Sequence, residues 1–163
     1  MTQQGALSNE VDRLTLSKGL VTVQGSDEHG RPVIHYHRGR MDKKAGARDS
    51  MLRVIFFVFH TLIMGDERAS KNGVVVLANF NNAEMYPTYD RILSKKSHCV
   101  IEALPMKLKA IHMCLPILTY SFLTVVIPVV KHLGGKDMRL RMVLHAKSGL
   151  AFVREMLPYG VSI

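Results

Sequence analysis

Twenty consecutive residues, Ile111 to Val130, carry no formal charge, and any fold of this chain has to cover them. Between Ser121 and Lys131 the non-hydrophobic positions are Ser121, Thr124, Pro128 and Lys131, spaced three, four and three apart. On a helix that spacing makes one narrow stripe and leaves every other face apolar. Each large side chain left in water forgoes about 1.5–3 kcal/mol. The helix read from Ile117 to Leu133 therefore needs protein core, bilayer or a bound apolar molecule against it. A bilayer fits poorly, because Pro116 to Val130 reaches only about 22 Å at about 1.5 Å per residue, against roughly 30 Å of hydrocarbon. Pro128 also weakens the helix by removing a donor and crowding the Thr124 carbonyl. A kinked, movable helix over a lipid cavity is the preferred reading, and an ordinary core helix the plainer one.

The surroundings of this run are basic. The 163-residue chain has a formal net charge of +9. Residues 1–72 hold 11 Lys/Arg against 8 Asp/Glu, hence +3, and residues 73–163 hold 11 against 5, hence +6. The apolar half is the more basic half, which favours an anionic membrane surface over nucleic acid, since each basic residue near lipid headgroups adds about 1 kcal/mol. With 47% hydrophobic residues, a chain of this length makes one domain with a sizeable core. Two cysteines, Cys99 and Cys114, argue against a disulfide framework and for a reducing compartment. Met1 to Leu20 lacks the apolar centre of a signal peptide, and neither end has a lipidation motif. The expectation is a cytoplasmic, peripherally membrane-associated protein.

In order, residues 1–19 read as a tail or weak helix without chemistry. Leu20–Gln24 and Arg31–Arg38 read as strands joined in a hairpin by Asp27-Glu-His-Gly30. Gly39 to Arg48 is a basic loop, and Asp49 or Ser50 caps a helix beginning near Met51 whose Ile55-Phe-Phe-Val-Phe59 gives it a broad buried face. Gly65 to Asn72 reads as a polar connection. Gly73-Val-Val-Val-Leu-Ala78 is a β-branched run expected to be a strand buried on both faces. A helix carrying Tyr89, Leu93, Val100 and Leu104 is ended by Pro105. Strand Lys107–Met113, the apolar helix, strand Leu140–His145 and a helix over Ser148–Leu157 complete the chain. Alternating strands and helices predict an α/β domain with a mixed, largely parallel sheet over residues 20–163.

Catalytic and metal motifs fare badly. Leu133-Gly-Gly-Lys-Asp137 lacks a phosphate loop's earlier glycine, where Val130 stands, and its hydroxyl, where Asp137 stands. His35 and His37 share a strand face, yet lack an evident third zinc ligand. His112 and Cys114 also share a face, but apolar surroundings favour a buried structural cysteine over a nucleophile. His145 at a strand end reads as structural. Lys107 and Lys109 lack the interleaved aromatic residues of a nucleic-acid platform. No cofactor and no metal are expected.

Four segments in order carry a resemblance: Asp27-x-x-Gly-Arg-Pro-Val33, the strand Gly73 to Leu77, Leu104-Pro-x-Lys-x-Lys-Ala-Ile-His112, and Gly135-Lys-x-x-Arg-Leu-Arg-x-x-x-His145. Over residues 20–161 the chain resembles the CRAL-TRIO family of retinaldehyde-binding, tocopherol-transfer and phosphatidylinositol-transfer proteins. The resemblance implies a sheet forming the floor of a hydrophobic pocket, helices behind it, and a mobile gate helix that maps onto Ile117–Leu133. It implies one bound lipid or lipophilic small molecule, exchanged at a membrane without catalysis. By matched position Lys107, Lys109, Lys131, Arg139 and Arg141 look like a membrane- or phosphoinositide-facing cluster, arginine offering a planar fork and lysine a point charge. The chain departs from the tocopherol-transfer pattern: the stretch from His112 to Lys131 is about one helical turn longer, and His132 replaces a proline. The family's preceding helical segment and its later Leu-Pro and Gly-Gly tail are not evident, so the domain is expected to be truncated at both ends.

Val75, Leu77, Ile111, Met113, Phe122, Val126 and Val130 are the candidates for the pocket wall, each also compatible with plain core. The first functional reading is a monomeric lipid carrier. The alternative is a regulatory scaffold whose pocket is filled by its own side chains and whose basic face docks on membrane or protein. A lipid hydrolase using Cys114 and His112 is the third.

Overall fold

The computed structural model describes residues 9–40, 47–80, 91–115, 128, 141–145 and 154–157. The gate segment, with Phe122, Val126, Val130 and Lys131, lies outside the described residues, as does Arg139.

The order along the chain is α1 (Glu10–Ser17), β1 (Val21–Ser26), β2 (Pro32–His37), a 3-10 turn (Arg38–Arg40), α2 (Ala47–Gly65), α3 (Glu67–Asn72), β3 (Val74–Asn79), α4 (Arg91–Glu102), β4 (Leu108–Cys114) and β5 (Met142–His145). The five strands form one sheet in the order β1-β2-β3-β4-β5, with β1 antiparallel to β2 and all later neighbours parallel. The expected α/β class and mixed sheet are therefore present.

The hairpin forms because Asp27 builds its own turn. Its Oδ1 accepts from His29 N at 3.0 Å and Arg31 N at 2.8 Å, while Arg31 Nε donates to Oδ2 at 2.6 Å. Gly30 takes φ 69° there, which glycine adopts without a Cβ penalty. Burial works against the Asp27 charge, yet the Arg31 bonds outweigh it and hold the carboxyl below its usual range.

The helix read within residues 1–19 is present as α1, whereas α2 begins at Ala47 rather than near Met51 and the stretch before β3 also differs from the sequence reading. Residues 67–72 are not a bare connection: Asp66 accepts from Arg68 N at 2.9 Å and caps the short α3. The N-terminal stretch is also better ordered by polar contacts than its weak apolar pattern indicated. α1 buries Asp12 and Thr15 and exposes Val11 and Leu14. Arg53 of α2 donates to both Asp12 carboxylate oxygens at 2.7 and 2.8 Å, and Thr15 Oγ1 meets Ser50 Oγ at 3.0 Å. That Arg53 pairing, opposed by burial, holds Asp12 below its ordinary value.

Gly73 ends α3 at φ 82° and ψ −171°, a region nearly closed to other residues. A Cβ there would run into the Lys107 carbonyl oxygen and lie 2.8 Å from Lys109 Cγ. This close approach lets Val74 N reach Lys107 O at 2.9 Å and starts the β3–β4 ladder.

Candidate functional site

Register decides which side chains share a face, because residues paired across a ladder point the same way. Ile34, Val76, Ile111 and Met142 are partners in one row, and Tyr36, Ala78, Met113 and Leu144 in the next. This is the helical face. Ile34 and Val74 lie on it in a core with Met51, Ile55 and Phe59 of α2, against which Val100 and Ile101 of α4 pack. Toward β4 and β5 the same face continues as Leu115 and Met142, with Phe80, Met113 and Leu144 against them. Ile111, Met113 and Leu144 are only half-buried.

The back face carries the alternate set. Val33, Val75 and Ala110 form one row, His35, Leu77, His112 and Val143 the next, and His37, Asn79, Cys114 and His145 the third. Val33, Val75, Leu77 and Cys114 close around Met156 from residues 154–157, with Val75 and Met156 at 0% exposure and Leu77 at 4%.

The structure thus separates the described pocket candidates. Val75 and Leu77 lie in the closed back cluster, whereas Ile111 and Met113 lie on the helical face, so one wall does not hold all four. The reason is the period of two: Leu77 pairs with His112, and Ile111 pairs with Val76. The basic candidates come together better. Arg141 Nη1 donates to the Leu108 carbonyl at 2.6 Å, between the exposed Lys107 and Lys109. This places three of the five cations around the start of β4.

Histidines that looked merely structural form a buried constellation. His112 Nδ1 lies 2.8 Å from His145 Nε2, and their rings stack at 5.0 Å. His145 Nδ1 is 3.0 Å from Glu155 Oε1, an ion-pair contact with poor hydrogen-bond alignment. Burial, then His145 and Arg31, push His112 down to about 4. The available signal was parity: His112, two residues before the end of β4, and His145, the last residue of β5, fall on the same face of neighbouring parallel strands. His35 and His37 are lowered mainly by burial, and Thr22 Oγ1 and His35 Nε2, on paired residues, are buried without a hydrogen-bond partner among the described residues.

The chemistry of the Cys114–His112 pair is unfavourable for attack. Both sit on the back face as expected, but burial, with Glu155 adding to it, pushes the Cys114 thiol up to about 12, so almost no thiolate exists at neutral pH. Among the described residues no three His, Cys, Asp or Glu side chains gather as metal ligands, and no helix is long and apolar enough to cross a membrane.

Compared with models of known protein families, residues 16–155 match the CRAL/TRIO domain. A comparison with curated proteins finds no match. With 140 of its 163 residues inside that match and the α/β sheet described above, the chain belongs to the CRAL/TRIO family of lipid-binding and lipid-transfer domains, which are generally non-catalytic.

Proposed function

We propose that this chain carries one lipophilic small molecule on the helical face of its sheet, against β4 and β5. The observation that carries the reading is the contrast between the faces: Ile111, Met113 and Leu144 are apolar yet half-buried, while the back cluster is closed. The ligand wall comprises Ile111 and Met113 with Leu144 and Phe80, and Phe122, Val126 and Val130 of the gate segment complete it. Val75 and Leu77, first read as wall, serve as core. Covering the half-exposed apolar side chains with a lipid tail gains about 25 cal/mol for each Å² removed from water.

Exchange takes place at the cytoplasmic surface of an anionic membrane. Lys107, Lys109 and Arg141 meet phosphoinositide or other anionic headgroups, joined by Lys131 and Arg139, and the protein works as a monomer. No residue is assigned a catalytic role. A second reading, a docking scaffold with a filled pocket, draws on the same buried side chains Val75, Leu77 and Met156 if the filling extends to the helical face.

Native mass spectrometry of the purified protein, followed by organic extraction, tests this. One lipid per chain is the expected result. Well-folded protein that stays empty after incubation with mixed-lipid vesicles refutes the carrier and favours the scaffold.

A further inference from the structure

Three separate segments meet behind the sheet through titratable side chains: His112 of β4, His145 of β5 and Glu155 of residues 154–157. The two rings are buried, at 1% and 4% exposure, while the Glu155 side chain is 34% exposed. Across the 2.8 Å contact one ring nitrogen donates and the other accepts, and the Glu155 carboxylate, which only accepts, stands 3.0 Å from the remaining His145 nitrogen.

One added proton fits. An imidazolium at His145 is compensated by Glu155, and its Nε2–H then donates to His112 Nδ1. A second proton does not fit, because two cationic rings would face each other donor to donor across the 2.8 Å contact. The neighbours do not relieve this. From the β1–β2 turn Arg31 adds positive charge and Asp27 is already paired with it; from β4 Cys114 stays a neutral thiol; from β2 His35 lies two strands away in the same row. The depressed His112 value agrees with a second proton taken up only in acid.

We propose that His112, His145 and Glu155 form an acid-released latch that holds residues 154–157 against the back of the sheet. What the latch secures is Met156, fully buried beside Val33, Val75, Leu77 and Cys114. Release uncovers that cluster without dismantling the sheet, whose strands are joined by their own ladders. The latch does not depend on lipid binding, which the opposite face is proposed to perform.

Amide hydrogen exchange of the full chain at pH 7.5 and 4.5, corrected for the intrinsic pH dependence of exchange, tests the latch. Protection at residues 154–157 should fall at least tenfold in acid while the β3 amides keep theirs. His112→Asn, which retains a donor toward His145 but takes up no proton, should abolish that pH difference. Glu155→Ala should lower protection at residues 154–157 at both pH values. Equal protection at the two pH values, an equal loss in β3, or a His112→Asn variant that responds like the unsubstituted chain would overturn the latch. If His112→Asn does not fold, the half-exposed Glu155 decides: unchanged protection at pH 7.5 in Glu155→Ala overturns it.

Discussion

Acidification should cost this domain stability through His112 in a defined window. The folded-state value is about 4 against an ordinary 6.5. A depressed histidine means that the unfolded chain takes the proton first. The contribution is therefore complete above pH 6.5, declines as pH falls from 6.5 to about 4, and is lost below that. The full difference between the two values is worth roughly 3 kcal/mol at about 1.36 kcal/mol per pH unit. At pH 5, between the two values, roughly 2 kcal/mol of it is gone. Asp12 and Asp27 are also lowered and also lose stabilisation in acid, so the total pH effect is not diagnostic by itself. The difference between chains is diagnostic. Urea unfolding of the unsubstituted protein and of His112→Asn at pH 7.5 and pH 5 cancels the carboxylates, which both share. The unsubstituted chain should lose about 2 kcal/mol more than the variant over that interval. Equal losses would refute the assignment of the proton to this ring.

Other perturbations probe separate contacts. Asp12→Ala removes a buried bidentate partner of Arg53 and should destabilise by about 2–3 kcal/mol in urea unfolding, with α1 amides losing exchange protection first. Gly73→Ala forces a Cβ toward the Lys107 carbonyl at positive φ and should cost at least about 2 kcal/mol by thermal unfolding. Lys107→Glu with Lys109→Glu should weaken flotation with anionic vesicles at least tenfold while leaving the unfolding midpoint nearly unchanged, since both side chains are exposed. Leu77→Ala should cost about 2–5 kcal/mol without lowering lipid stoichiometry, whereas Ile111→Trp should lower lipid stoichiometry with little loss of stability; stoichiometry and unfolding measured on both variants separate the two faces.

Periodicity made the central elements legible. The β-branched run after Gly73 became β3, Asp27 and Gly30 announced the hairpin, and the α/β class followed from alternation. α1 was poorly legible for a physical reason: it docks through Asp12 and Thr15, so the usual inference from apolar spacing points to the wrong face. α3 depended on one cap, Asp66, within a polar stretch. The pocket candidates failed to share a wall because alternation within a strand is visible in sequence whereas register between strands is not. Val75 and Ile111 are each apolar, and only the pairing of Val75 with Ala110 and of Val76 with Ile111 shows that they face apart.

The distribution of polar atoms between the faces bears on where a lipophile belongs. Thr22, His35, His37, His112 and His145 all lie on the back face, and the corresponding rows of the helical face hold Ile34, Val76, Ile111 and Met142, then Tyr36, Ala78, Met113 and Leu144. A hydrocarbon chain cannot hydrogen-bond, so laying one over buried imidazoles would leave each polar atom it covers unpaired, at about 1–3 kcal/mol apiece. On the helical face beside β4 and β5 the same chain meets only the carbon and sulfur of Ile111, Met113, Met142 and Leu144, the Tyr36 hydroxyl lying two strands away on β2. The back face gains instead from groups that carry their own polar partners, as residues 154–157 do by bringing Glu155 to His145 and Met156 to the apolar gap beside it. The histidines thus suit the back of the sheet to a peptide segment and unsuit it to a lipid tail, which is the physical ground for assigning the proposed ligand to Ile111 and Met113 and the latch to His112.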